Sequence, residues 1–398
     1  MTSRHVAVVD LGYGDAGKGT VVDFLCATGA KRAVLRFNGG AQAAHNVITE
    51  DGRHHTFSQF GSGTLRGVPT HLTRFMVVDP LSLSAEAAAL GNPYHLLTVD
   101  GEALLATPWH RAANHRRERA LRHGSCGMGV GETMAYASKH PDAPKVADVL
   151  SPPRLRRRLA AVRDALDVPG PPLEDVVEAF AAFGEAVRIV GSSYTSRLLA
   201  SGPCVFEGAQ GVLLDEWRGW HPHTTWSTTT FTNALALCPD LLRLGAVRTY
   251  TTRHGAGPFV TEDPTLDLPE PHNGRDVWQG DFRVGHFDAL AHRYAVEVSG
   301  GVDALAITHL DIPDHSPDLR ICTSYEVDGE TWDRIEPGPA RDLDHQERLG
   351  ERLRRARPSG LYRPDDWCEA IATHLGAPVH LESHGPAAAD KKQLSASI

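Results

Sequence analysis

The sequence has no long apolar run. Nowhere do about 18 apolar residues follow one another, the length a membrane-spanning helix needs, and the opening stretch His5–Leu11 is broken by Asp10 too early for a signal-peptide core. A soluble, cytoplasmic protein is therefore expected, with no membrane partner. The six cysteines (Cys26, Cys126, Cys204, Cys238, Cys322, Cys368) form no CxxC pair and no cluster, which argues against a disulfide frame or a zinc site. The 22 histidines include no HExxH, so packing and surface roles are expected for most of them. Positive charge is not in excess: 40 Lys plus Arg against 49 Asp plus Glu leave a net charge of −9, which disfavours nucleic acid as a partner. Repeats and long linkers are also missing. At roughly 100–200 residues per domain the length leaves room for two or three domains, yet the lack of repeats and long linkers favours one catalytic domain over 1–398. A helical insertion is expected around 84–200, and a polar tail over 387–398 whose end is loose.

What is present is an alternation of strand-like and helix-like segments. His5–Leu11 is apolar and β-branched, Gly12–Gly19 is a glycine-rich turn, and Thr20–Leu25 resumes an apolar pattern, which reads as strand, phosphate-type loop and helix. Further strands are expected at Arg32–Phe37, Phe75–Val78, Pro203–Phe206, Ala246–Thr251 and Ala304–Ile307. Strands interleaved with helices predict an α/β fold, a large, mostly parallel central sheet flanked by helices. The arginine-rich segments Trp109–Arg122 and Arg154–Leu166 are expected to be helices with solvated charged faces. Asp263–His272, with three prolines and several acids, reads as a surface excursion.

The loop Gly12-Tyr13-Gly14-Asp15-Ala16-Gly17-Lys18 has the GxxxxGK spacing that lets backbone N–H groups converge on phosphate oxygens while a lysine supplies charge. The Ser or Thr that holds magnesium in a standard P-loop is missing. Gly19 stands there and Thr20 comes one residue late, which weakens a switch-GTPase or kinase reading. Asp15 inside the loop would repel a polyphosphate unless it grips a magnesium ion or takes a proton from a substrate beside the phosphate.

Gly14-Asp15-Ala16-Gly17-Lys18-Gly19, followed by Gly39-Gly40-Ala41-Gln42-Ala43-Ala44-His45, resembles the adenylosuccinate synthetase family, whose members carry GDEGKGK and GGHNAGH. Phe206-Glu207-Gly208-Ala209-Gln210-Gly211 resembles its FEGAQG, and Thr252-Arg253-His254-Gly255-Ala256-Gly257-Pro258-Phe259 resembles its TRVGAGPF. Leu310-Asp311 and Ser383-His384-Gly385-Pro386 are similar to its TKLD and STGPD segments, and the matches run in order from Val8 to Pro386. The resemblance implies a P-loop-like fold and a GTP- and Mg2+-dependent ligase. Such an enzyme joins L-aspartate to the 6-oxo carbon of a purine nucleotide, inosine monophosphate or a close analogue, through a 6-phosphoryl intermediate in a homodimer. On that resemblance Asp15 is the base that takes the purine N1 proton and, with the backbone carbonyl of Ala44, holds the magnesium. His45 is the acid at the transferring phosphoryl. GTP is held by Gly14, Gly17, Lys18, Gly19, His309, Asp311, Ser383, Gly385 and Pro386. Gln42, Ser125, Cys126, Gln210, Thr225, Arg253 and Arg283 hold the other substrates. A carboxylate at Asp311 that accepts from guanine N1–H and N2–H2 would exclude adenine.

The departures from the family pattern fall on the substrate side. Gly124-Ser125-Cys126-Gly127-Met128-Gly129-Val130-Gly131 replaces GTTGRGIG, exchanging a threonine for Cys126 and an arginine for Met128. The stretch Ala135–Pro141 lacks the arginine that reaches a neighbouring subunit's nucleotide phosphate, and Lys139 or Lys145 could replace it only in part. The arginine-dense TTGRRRRTGW loop retains Arg283 alone, and His309 stands where the family has lysine. Ala41, Gln42 and Ala44 replace His, Asn and Gly, the last harmless if its φ is negative. A ligase of this fold with another oxo-acceptor or amine is the alternative expectation. A non-catalytic GTP-binding protein is disfavoured by the retention of Asp15 and His45 together.

Overall fold

The computed structural model describes residues 4–121, 124–268, 270, 273 and 278–394. Its centre is a ten-stranded sheet. In chain order the strands are β1 (Val6–Asp10), β2 (Val34–Arg36), β3 (Thr70–Leu72), β4 (Leu97–Asp100), β5 (Arg188–Val190), β6 (Val205–Gly211), β7 (Leu242–Arg248), β8 (Ala304–Thr308), β9 (Val379–Ser383) and β10 (Lys391–Gln393). Their spatial order is β10-β9-β8-β7-β1-β6-β2-β3-β4-β5. Neighbours are parallel throughout except the β9/β10 pair, which is antiparallel. This is the expected architecture, a mostly parallel sheet with helices on its faces.

The central strands are apolar on both sides, as a parallel sheet covered on two faces requires. Val6 to Val9 are at most 1% exposed. Ala7, Val9, Leu35, Phe37 and Phe206 pack on one face, and Val6, Val8, Val34 and Val205 meet the helix α1 (Lys18–Thr28) on the other. A third cluster from Val47 to Val187 packs around Trp109, Phe180 and Phe183. Within 84–200 the chain is largely helical, but it also sends β4 and β5 to one edge of the central sheet. Among the described residues, no helix is long and apolar enough to cross a membrane.

Several strand boundaries differ from expectation. Only Val77–Val78 of the Phe75–Val78 stretch is extended, and it pairs with Leu104–Leu105 outside the central sheet. The strand expected at Ala246–Thr251 is β7, which starts at Leu242 and stops at Arg248, with Thr251–His254 forming a separate antiparallel pair with Phe282–Gly285. The helix α2 (Pro108–Leu121) covers the first arginine-rich segment as far as Leu121, Arg122 lying outside the described residues. Of Asp263–His272, Pro269, Pro271 and His272 lie outside them as well. The tail is docked where it is described. Lys391 is 8% exposed and β10 pairs with β9, because the lysine finds carbonyl partners in the preceding turn; residues 395–398 fall outside the described part.

Candidate active site

The C-terminal ends of β1, β2, β6, β7, β8 and β9 open on one cavity of about 610 Å3, where parallel α/β sheets present their sites. The loop after β1 is shaped by Asp10, which is fully buried. One carboxylate oxygen accepts from the N–H groups of Gly12 (2.8 Å) and Gly14 (3.3 Å). The other accepts from Ala16 N–H at 2.8 Å and from Lys18 Nζ at 3.2 Å. The glycine cradle is thus tied to the end of the strand by one side chain, and the Thr308 hydroxyl donates to Ala16 C=O at 3.1 Å from β8. Sequence reasoning passed over Asp10. An acidic residue ending an apolar strand just before the glycines was the available signal.

The missing P-loop hydroxyl has a packing explanation. A Cβ on Gly19 would sit 2.8 Å from His45 Cβ and 3.1 Å from Asn46 O, so only glycine lets α1 approach the strand His45–Ile48. At the other side of the loop, a Cβ on Gly211 would overlap Gly12 O and Gly14 N.

His45 is 7% exposed, and its Nδ1 lies 2.6 Å from Glu207 Oε1. Burial is the main cause that pulls His45 down to about 4. Burial opposes ionisation of Glu207 too, but Arg36, His45 and donors from Ser62 outweigh it and hold the carboxyl near 2. The pair is therefore a neutral imidazole donating its Nδ1 proton to a carboxylate, with Nε2 left for the cavity. Glu207 is another residue the sequence did not single out, although it lies inside the matched FEGAQG.

Asp15, Gln210 and His309 all line the cavity, and all three are non-glycine residues at positive φ, 63°, 56° and 57°. Such strain is held in place by surrounding structure and gathers at functional sites. Burial raises the Asp15 pKa, while Lys18, His254 and Arg248 draw it back. A carboxyl made more basic but still flanked by cations suits a general base. His309 lies well below its ordinary value through burial, aided by Arg248 and Lys391, so it adds no charge at neutral pH.

Asp311, Gly385 and Pro386 share the wall with His309. Thr20 Oγ1 donates to Pro386 C=O at 2.5 Å and Leu310 N–H to Ser383 C=O at 3.1 Å, joining this segment to the phosphate loop. Lys391 Nζ donates to the carbonyls of Gly385, Pro386 and Ala387 at 3.2, 3.4 and 2.8 Å. Ser383 itself does not line the cavity; its hydroxyl donates to Gly385 C=O at 3.1 Å.

The remaining wall carries Gln42, Ala44, Ser125, Cys126, Thr225 and Arg253, together with Asn114 and Arg117 of α2. Arg253 donates to the carbonyls of Ala256, Pro258 and His223 at 3.0, 2.9 and 3.2 Å, and lies 4.4 Å from the centre of the Tyr13 ring. The expectation that α2 shows only a solvated charged face is corrected. One of its faces borders the cavity, because the glycine loop 124–131 folds back on it, with Gly129 N–H donating to Asn114 Oδ1 at 3.3 Å. Arg283 does not reach the cavity. It pairs with Glu262 at 2.5 Å and donates to the carbonyls of Gly255 and Gly257 at 3.0 Å. Lys139 and Lys145 are also off the lining, the latter 2.7 Å from Glu102.

A glycine cradle, a buried lysine, a strained aspartate and a histidine–carboxylate pair at the end of a parallel sheet define a nucleotide-dependent phosphoryl-transfer enzyme. A family model described as adenylosuccinate synthetase matches residues 7–354. The chain is 30% identical over 423 residues to the adenylosuccinate synthetase of Magnetococcus marinus, covering 96% of each. It is 32% identical over 434 residues to that of Methylibium petroleiphilum, covering 96% of this chain and 95% of the relative. The fold matches a fully ligated adenylosuccinate synthetase from Plasmodium falciparum with TM-score 0.85 at 20% identity, over 98% of this chain and 100% of that one. It also matches a succinoaminodeoxyadenylate synthetase of cyanophage S-2L, bound to dGMP and to dATP as energy donor, with TM-score 0.64 at 21% identity over 99% and 96%. The chain belongs to the adenylosuccinate synthetase family, GTP-dependent C–N ligases that join aspartate to a purine nucleotide.

Proposed function

We propose that the acceptor is a 6-oxopurine nucleoside monophosphate, inosine monophosphate or a close analogue, activated at O6 by the γ-phosphoryl of GTP before aspartate displaces phosphate. The observation that carries this reading is the meeting of Asp15, Lys18, His45 and Asp311 on one cavity. An amide-like oxygen is a poor leaving group, and phosphorylation turns it into a good one. Asp15 takes the N1 proton as O6 attacks. Lys18 and the loop N–H groups hold the phosphates, and His45, protonated once the polyphosphate is beside it, stabilises the transferring group. Asp311 reads the guanine edge; Gly14, Gly17, Gly19, His309, Gly385 and Pro386 shape the donor side, and Ser383 and Lys391 brace it. Gln42, Ser125, Cys126, Gln210, Thr225 and Arg253 frame the acceptor. Arg283 meets a carboxylate of aspartate only by exchanging Glu262 for it.

Magnesium fits these residues. Among the described residues no cluster of three or more His, Cys, Asp or Glu could cage a metal, but Mg2+ commonly takes one or two protein oxygens and completes its shell with water and substrate phosphates. Asp15 and the backbone carbonyl of Ala44, residues of the cavity wall, would supply those oxygens, and Ala44 has no positive φ to strain it. When bound, the ion neutralises charge on the phosphates. A cytoplasmic homodimer completes the proposal.

Phosphate release with Mg2+, aspartate and GTP, ATP or dATP, each with and without inosine monophosphate, tests the reading. Acceptor-dependent release with GTP, lost in Asp15→Asn and accompanied by the absorbance of a 6-succinylamino purine, is the expected result. Protein that binds GTP yet releases no phosphate with this acceptor refutes the inosine assignment and turns the search to other 6-oxo acceptors.

A further inference from the structure

Four Lys or Arg side chains among the described residues line the cavity: Lys18, Arg117, Arg248 and Arg253. Three are committed. Lys18 pairs with buried Asp10 inside the phosphate loop. Arg248 bonds Tyr250 and Glu270 and donates to Asp15 C=O at 3.2 Å. Arg253 spends all three of its nitrogens on backbone carbonyls. Arg117 differs. Among the described residues its partner is Glu132 alone, Nη1 to Oε1 at 3.2 Å. Its Nε is buried with no hydrogen-bond partner, as is that of Arg248, but Arg248 holds Tyr250, Glu270 and Asp15 C=O through its other nitrogens and Arg117 only Glu132.

The surroundings of Arg117 belong to the acceptor wall rather than the donor wall. Asn114, one turn earlier on α2, donates to Ser125 Oγ at 2.9 Å. A Cβ on Gly131 would lie 3.3 Å from the Trp226 ring and 3.6 Å from Arg117 Nη2, so Arg117, Trp226 and the glycine loop 124–131 meet at one place. A nucleoside monophosphate bound there carries a dianionic phosphate. Of the arginines described on the cavity lining, Arg117 is the one held by a single ion pair, and a guanidinium can grip a phosphate with two parallel N–H bonds.

We infer that Arg117 anchors the acceptor's 5′-phosphate from within the same chain and so is a specificity residue for the nucleotide. This deepens the proposed function and rests on it. Glu132 orients the guanidinium from the helix α3 (Val130–Lys139) and is not itself a ligand.

The test is calorimetric binding of inosine monophosphate and of inosine to the full chain, with GTP binding as the control for folding. The wild type should prefer the nucleotide. Arg117→Gln should cut that preference at least about 10-fold, the scale of a lost charge-assisted bond, through weaker nucleotide binding with inosine and GTP unaltered. Arg117→Lys should restore part of it, and Glu132→Gln should keep it. The inference is overturned if Arg117→Gln leaves the preference intact, if Glu132→Gln abolishes it equally, which would mark the ion pair as structural, or if the wild type binds nucleotide and nucleoside alike. Failure of the functional reading looks different: GTP binds, but neither inosine compound does, and the inference falls with it.

Discussion

Glu207→Gln perturbs the pair that sets the state of His45. Glu207 is wholly buried and accepts from His45 Nδ1 at 2.6 Å, from Ser62 N–H at 3.0 Å and from the Ser62 hydroxyl. The amide matches it in size, so packing is preserved while the charge is removed. Arg36, also 0% exposed and with Nε and Nη2 lacking hydrogen-bond partners, is then an uncompensated buried cation. Arg36 feels Glu207 through space and not through a direct ion pair, so a loss of stability is expected that is smaller than the roughly 3–5 kcal/mol of a broken buried pair. Losing a hydrogen bond to a charged group costs about 1.5–3 kcal/mol, which is about 10- to 150-fold if it is felt in phosphoryl transfer. Stability against pH gives an independent check. His45 is held at about 4 against an ordinary 6.5, mainly by burial. Glu207 lies near 2 against 4.5 because Arg36 and His45 outweigh its burial. Both groups bind protons more readily unfolded, so stability is lost as pH falls from 6.5 through 4 and again from 4.5 through 2. Each window is worth about 3 kcal/mol. The variant should lose the lower window, show a lower urea midpoint at pH 7, and release phosphate with reduced kcat while its GTP affinity holds. A variant with wild-type kcat and an unchanged acid limb would refute the account of His45.

GTP binding should take up roughly one proton near pH 7, because a neutral His45 is drawn to its charged form by polyphosphate at its Nε2. Calorimetry in buffers of different ionisation heat reads this directly, and His45→Asn should abolish the uptake; an unchanged slope in that variant assigns the proton elsewhere. Gly19→Ser would restore the P-loop hydroxyl, but its Cβ falls 2.8 Å from His45 Cβ, so a loss of about 1–3 kcal/mol in urea denaturation and a fall in kcat are expected. A stable, fully active serine variant would show that space at this position is not limiting.

The parts of this protein that were legible in the sequence are those where chemistry and local pattern coincide. β1, the glycine loop and α1 announce themselves because an apolar run, four loop glycines and a lysine are contiguous in the chain. The short strands β3, β4 and β5 gave no such signal. They run for three to four residues, too few for a period to show, and exist because the sheet edge supplies partners. β10 was hidden for another reason: the polar tail is pinned by Lys391, whose buried ammonium is paid for by three carbonyls that no pattern predicts. In the site, Asp15, His45 and Asp311 could be found from motif order. Asp10, Glu207 and Arg36 could not be ranked above ordinary buried polar residues until the geometry joined them. Arg283 shows the converse, a residue that motif order brings to the site and geometry binds to Glu262 instead.

Reading a divergent relative position by position presumes that a lost group must be replaced where it was lost. The cavity argues otherwise. Against the pattern of the family, Met128 and the stretch Ala135–Pro141 offer no arginine, and neither Lys139 nor Lys145 lines the cavity. Arg117 comes to the cavity wall from a different element, a helix whose charge density marks it in the sequence as solvent-facing. It can do so because Trp109, 1% exposed, anchors the start of α2 in the core, while Asn114 and Arg117, three residues apart, fall on one helical face. The glycines of 124–131 then let the loop close against that face. The requirement is a positive charge at a place in space, and several elements border that place. On the inference drawn for Arg117, substrate preference follows from how the cavity's cations are already engaged, and the single ion pair that holds Arg117 is what leaves it available.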